Sequence, residues 1–571
     1  MTVRAKLIKL RQGIHSYLRG ELRDKLSEAR TSLQLCALAL LFGILASLVI
    51  LLFRLLLQWA DSYTHIQEMD FSDMLHNWRA LLPLIGALLI WMVAALGSRR
   101  YRRMGIAYVL HRYKLHYGKI PLQSAPGQFF QALFALGTNF SVGREGPAIH
   151  LGAVSASVLA EKFHLPDNSV RIMCASGIAA GIAATFNAPL AAVIFVFEVI
   201  VREYKIHYFF PIIISALCGA VSSQLVFGNV HEYDSIEVIR IPLDHYPVLA
   251  LGGIVLGVAS AGFNSALLRV TELGKHWPLV ARLLLAGSIT TAVGIALPQA
   301  LGSGDFAIDV AISDNPALWF LLALLAGKVI ATIAAIGLGI PGGLIGPLYG
   351  MGALLGAILA LVSSLMFPSI AAYVGLYTVV GMTVMMGVCL SAPLAALVAL
   401  LELTNDAAII MPAMFVMVPA FLTAHQWFRT ESVFFRQLDL MGLGYKVPPV
   451  NQGLQKVGVR ALMDRRFVIV NNNDELLLEV LKRAEGRPVM VRNAEGQIEM
   501  LRLEMHSFED ATTLSRQPME GLPDSASLNQ VYELLLPKRS GEVYIYQDTP
   551  EQVVGVISWG NLQQQIRAGE V

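Results

Sequence analysis

Charge is scarce in this 571-residue chain: Asp, Glu, Lys and Arg make up 15% of it, and mean hydropathy is +0.58. A soluble globular protein of this size carries more, so that class is excluded. Cysteine is scarcer still. Cys36, Cys174, Cys218 and Cys389 all lie in apolar segments, with no spacing suited to a disulfide framework or a metal site. His15, His65 and His76 show no ligand spacing either, and no metal is expected. No apolar segment holds a His-Glu-x-x-His pair or a nucleophile beside a base, which argues against an intramembrane hydrolase or any other enzyme.

Long apolar stretches stand in place of charge. They cover residues 33–57, 81–96, 169–201, 209–227, 248–268, 283–297, 318–340, 351–366 and 378–422. Several reach the ~20 residues that cross a bilayer. Others are short or interrupted by Gly and Pro and read as partial helices, tolerated at membrane depth where protein or a cavity meets their ends. Arg4, Lys6, Lys9, Arg11, Arg19, Arg23, Lys25 and Arg30 precede the first stretch; Arg99, Arg100, Arg102 and Arg103 follow the second. The positive-inside rule puts both clusters in the cytoplasm. The basic head is too long for a cleaved signal peptide. Because the clusters flank spans, without interleaved aromatics on a soluble module, nucleic acid is not expected as a partner.

The chain also repeats itself. Gly143-Arg144-Glu145-Gly146-Pro147 returns as Gly343-Leu344-Ile345-Gly346-Pro347. Asn187-Ala188-Pro189-Leu190-Ala191-Ala192 returns as Ser391-Ala392-Pro393-Leu394-Ala395-Ala396, and an acid follows each copy, Glu198 and Glu402. Two such halves in a membrane chain indicate a transporter whose site lies where the halves meet. Each Gly-Pro motif opens an apolar helical run. A helix start leaves about four N–H groups unpaired and carries roughly half a positive charge. Buried in a membrane, such groups suit a small anion like chloride. The bland reading is that Gly and Pro kink packed helices; repetition, with the ionisable Glu145 in one copy, weighs against it. A helix histidine with its bonds satisfied is expected at His150, and structural pairing at Glu198 and Glu402. Lys328 is expected to neutralise a buried acid or face water.

Composition changes near Gly442. Residues 441–453 read as a linker and 454–571 as a charged, small α/β region. Strand-like 467–470, helical 474–484, strand-like 489–491 and a turn at 493–496 precede helical 527–536 and strand-like 543–546 and 553–557. This pattern resembles a pair of CBS domains. In that family the last strand runs into Thr-x-x-Asp, which holds a nucleotide ribose. Here Ser558 and Asn561 take those places, so nucleotide is not expected to bind, and no cofactor is assigned. A packing module that stabilises a dimer is the preferred reading.

At its glycine motifs, the chain resembles the CLC family of chloride channels and chloride/proton exchangers, over roughly residues 34–440. Gly143–Pro147 matches the family's Gly-Arg-Glu-Gly-Pro signature; Gly343–Pro347 matches Gly-x-Phe-x-Pro, with Ile345 for Phe; Phe186–Ala191 and Glu402-Leu403-Thr404 also look like family sequence. The resemblance implies an all-α polytopic membrane protein of two inverted halves, about 34–228 and 246–440, after a cytoplasmic basic segment 1–33. It further implies a homodimer in the lipid of the plasma (inner) membrane, a pore in each subunit and both termini cytoplasmic. Glu145 corresponds to the family's external gate. Anion-binding positions carried over are Gly143, Arg144, Gly146, Leu344 and Ile345, with Arg144 equally explained by a structural ion pair. Met104 takes the place of the family's pore serine and Phe434 that of its inner tyrosine, so two hydroxyls are missing. Exchangers often carry a second acid directly after the position of Glu198. Here Val199 stands there, which favours a passive gated channel; coupled exchange, with protons passing Glu198 or Glu203, is the alternative. A membrane-anchored ligand sensor is the reading from another class, but an anchor needs no paired helix starts around a buried acid.

Overall fold

The computed structural model describes residues 21–28, 32–64, 77–204, 206–228, 241–313, 316–444, 449–471, 474–493, 495–505 and 512–567. Arg4, Lys6, Lys9, Arg11, Arg19, Arg30, His15, His65, His76 and linker residues 445–448 lie outside them. The chain forms two compact units, one of Cys36–Leu159 with Ile172–Tyr445, the other of Met1–Leu35 with Ala160–Arg171 and Lys446–Val571. The second unit therefore takes in the described helix Glu21–Ser27 and the short piece Ala160–Arg171 of the first repeat, where sequence alone suggested the successive regions 1–33, 34–440, 441–453 and 454–571.

In the larger unit, apolar composition becomes helix. Ten helices among the described residues are long and apolar enough to cross a membrane. Two stretches that read as continuous are divided. Residues 169–201 become Asp167–Phe186, Pro189–Phe195 and a π-helical turn Val196–Val201; residues 378–422 become Val374–Leu390, Pro393–Thr404 and Ile410–Leu422. Breaks fall at Asn187 (φ 53°) and Ser391 (φ 54°), each two residues before a proline, and at Asn405 (φ 53°). Left-handed backbone cannot continue a helix of L-residues, and the proline two residues on restarts one. Hydropathy is blind to both events.

Small residues let these helices approach closely. Gly152, Gly177 and Gly181 join Glu145–Lys162 to Asp167–Phe186, and Gly352, Gly356 and Gly381 join Ile345–Ser364 to Val374–Leu390. A Cβ at any of the six would strike a facing backbone carbonyl.

The smaller unit holds two sheets. Strands β1 (Val468–Asn471), β2 (Val489–Arg492), β3 (Ile498–Met505) and β4 (Thr512–Pro518) lie in that order, β1 parallel to β2 and the rest antiparallel. The second sheet is β5 (Glu520–Pro523), β6 (Glu542–Tyr546) and β7 (Val553–Ser558), with β5 parallel to β6 and β7 antiparallel. Asp474–Arg483 follows β1 and Leu528–Leu535 follows β5, so strand–helix–parallel strand–antiparallel strand occurs twice. The helix Glu21–Ser27 belongs here. Arg23 donates to both Asp524 oxygens at 3.0 and 2.7 Å. Arg460 donates to Asp524 Oδ2 through Nε at 3.0 Å and Nη2 at 2.6 Å, and to Asp24 at 2.7 Å. Asp167 N–H donates to Ser525 O at 2.9 Å, and Asn168 Nδ2 to Leu26 O at 2.9 Å.

Candidate functional site

The two glycine motifs meet. Gly143 N–H donates to Gly343 O at 2.8 Å, and Gly343 N–H returns a bond to Gly143 O at 2.7 Å. This antiparallel bridge pairs residues that occupy the same place in the two repeats. It brings the starts of Glu145–Lys162 and Ile345–Ser364 together.

Glu145 fills the junction. Its side chain is 0% exposed. Its Oε1 accepts the N–H of Ile345, and the N–H groups of Gly346 and of Glu145 itself also face the carboxyl. A Cβ on Gly143 or Gly343 would collide with that carboxyl. These glycines are what leave room for the acid. Leu344 is the N-cap residue of the second helix, and both it and Ile345 are buried. The N–H of Ile345, where an anion is expected, thus carries the Glu145 carboxylate.

The flanking residues divide into those drawn to this junction and those placed elsewhere. Arg144 sets its guanidinium over the Phe186 ring, 5.1 Å from the centroid. It lines a cavity of about 410 Å³ with Arg54, Asp61, Asn139 and Asp305. Met104 is the N-cap residue of Gly105–Leu115, and the buried Phe434 lies in Val433–Leu440, which packs on that helix. His150 is fully buried, with Nε2 3.0 Å from Ser124 Oγ. Lys328 differs from expectation: it is fully buried, its ammonium donates to the carbonyls of Leu301 (3.3 Å) and Gly302 (2.7 Å), and the acid that acts on it, Asp305, is exposed.

Glu198 and Glu402 repeat the reciprocity of the glycines. Leu394 and Ala395 donate their N–H groups to Glu198 at 3.2 and 2.7 Å; Leu190 and Ala191 donate to Glu402 at 2.9 and 2.7 Å. Each acid caps the helix of the other half, satisfying N–H groups that a helix start leaves open. Glu203 is half-buried in the turn after Val196–Val201. In the smaller unit, Ser558 Oγ accepts the N–H of Asn561 at 3.2 Å and caps the last helix, Trp559–Arg567.

Several functional candidates had no sequence signal. Tyr349, one turn beyond Ile345, lines an apolar cavity of about 30 Å³ with Ile345, Phe186, Ala395 and Leu403. Ser391 and His425 face a second cavity of about 470 Å³ beside Glu198.

The sequence profile of voltage-gated chloride channels matches residues 85–425. An H(+)/Cl(−) exchange transporter, ClcA, of Cronobacter sakazakii is 28% identical over 430 residues, 71% of this chain and 89% of that protein. The crystal structure of a slow cyanobacterial Cl−/H+ antiporter superposes with a TM-score of 0.63 at 23% identity, over 72% of this chain and 98% of that one. A eukaryotic CLC transporter superposes with a TM-score of 0.62 at 18% identity, over 92% of this chain and 97% of that one.

Proposed function

This chain belongs to the voltage-gated chloride channel family, whose members are transporters and not enzymes, and from that premise we propose that it exchanges a small anion such as chloride for protons across a membrane. One observation carries the reading: the Glu145 carboxylate lies on the N–H of Ile345. An anion and a carboxylate compete for that donor. Protonating Glu145 weakens its hold and admits the anion, so proton and anion binding are linked, each favouring the other. Gly143, Gly146 and Leu344 shape the same junction, and Arg144 adds positive charge at its mouth.

Val199 favours a passive channel, since it cannot bind a proton. The named exchangers among the relatives favour coupling, and that moves the reading to exchange. Protons then cross from Glu145 past the apolar cavity at Ile345 and Ala395. Its volume of about 30 Å³ accommodates a water. In this reading the protein is a homodimer with both termini in the cytoplasm, and its tail is a CBS-like packing module. The test is made in liposomes holding the purified full chain under a chloride gradient. Exchange predicts uphill proton movement at fixed stoichiometry. Chloride flux with no proton movement decides for the channel.

A further inference from the structure

An exchange cycle needs a proton-binding group at each end of its path, and Glu145 supplies one. The cavity of about 470 Å³ beside Glu198 is lined by Val199, Arg202, Ser391, His425 and Glu431. It is connected to the gate through successive contacts. Ile345 donates to Glu145 and lines the apolar cavity; Ala395 lines that cavity and donates to Glu198.

Besides Arg202, the cavity is lined by three ionisable side chains, Glu198, His425 and Glu431, and they differ in use. Both Glu198 oxygens are committed to N–H groups of the opposite half. Glu431 is exposed. His425 is half-buried and fixed: its ring stacks on Phe421 at 3.8 Å and 11°, with Nδ1 3.1 Å from Phe421 O and Nε2 3.1 Å from Ser391 Oγ. A carbonyl only accepts, so Nδ1 carries the hydrogen. The neutral ring therefore presents the Nε2 lone pair to the Ser391 hydroxyl. His425 sits on the π-helical turn Thr423–Trp427 and Glu198 on Val196–Val201; such turns recur at functional sites.

We propose that His425 is the second proton-binding group of the transport cycle, across the apolar cavity from Glu145; the proposal rests on the exchange reading. A proton from water bonds to Nε2 and makes imidazolium. The Ser391 hydroxyl turns from donor to acceptor, and Nδ1–H stays on Phe421. Loss of the Nε2 proton to water on the Glu145 side restores the neutral ring, and no electrons move. The charged groups around the ring are Glu198, Arg202 and Glu431.

His425→Gln and His425→Ala in the full chain are compared with the wild type in liposomes, with chloride and proton fluxes followed together. Proton flux is expected to fall about 100-fold while chloride continues to move uncoupled, which also reports a folded protein. His425→Glu is expected to restore coupling. Ser391→Ala, which removes only the Nε2 partner, should shift the pH profile of proton flux. A wild type that couples, with His425 variants coupling at the same stoichiometry, overturns the assignment and leaves exchange standing. A wild type that moves no protons overturns both.

Discussion

Replacing Glu145 tests directly the proposed competition between its carboxylate and an anion. The Ile345 N–H now bonds a charged oxygen. A hydrogen bond to a charged group is worth about 1.5–3 kcal/mol and a neutral one about 0.5–1.5. Glu145→Gln therefore weakens the internal competitor by about 1–1.5 kcal/mol, and chloride should bind about five- to tenfold more tightly. Glu145→Ala removes the competitor, and the gain rises to about 10- to 100-fold. Neither change strands a charge, since the buried charge is itself removed. Calorimetric titration of chloride into the purified protein reads the series wild type, Gln, Ala. Protonation mimics the Gln variant, so wild-type affinity should rise as pH falls, while both variants stay flat. Equal affinities across the three, or a shared pH slope, would refute the idea that carboxylate and anion use one seat.

Glu198→Ala and Glu402→Ala should each lower thermal stability by about 2–5 kcal/mol, through two lost N–H acceptors apiece; size-exclusion after a heat challenge measures this, and near-equal losses are expected from the matched geometry. Asp524→Ala strands the Arg23 guanidinium, while Arg460 keeps Asp24, and should cost about 3–5 kcal/mol, read as faster proteolytic release of the tail from the full-length protein. Calorimetry of the full chain with ATP should show no micromolar binding, ~8 kcal/mol, because Asn561 lacks a carboxylate and Ser558 Oγ is occupied as a helix cap.

The membrane region was legible where chemistry is local. Gly143–Pro147 and its repeat announce helix starts because glycine, proline and one acid are unusual in apolar sequence. The Pro-Leu-Ala-Ala motifs likewise foretold the paired acids at Glu198 and Glu402. Asn187 and Ser391 hid their helix breaks, since a left-handed φ costs hydropathy nothing. Within the tail, β3, β4 and β5 carry no expectation from sequence: Ile498–Met505 interleaves charged with apolar residues, Thr512–Pro518 and Glu520–Pro523 have no continuous apolar run, and pairing with β2, with β3 and with β6 fixes them. The Arg23–Asp524 ion pair joins residues 501 apart in sequence. No periodicity encodes such a contact. His425 escaped notice for the same reason, as its partner Ser391 comes from a distant turn.

The Gly143–Gly343 bridge and the crossed Glu198 and Glu402 caps read the same in both directions. Contacts of that kind belong to a two-fold dimer, in which one surface is its own complement. A half-length chain bearing one copy of each motif could therefore bind a second copy of itself through these bonds. Glu145 and Ile345 occupy equivalent places in the two motifs. In a pair of identical halves they would be the same residue: two acids would crowd one junction and repel, whereas two isoleucines would leave nothing to titrate. Covalent fusion of the halves is what permits one acid to face one apolar partner at a single junction.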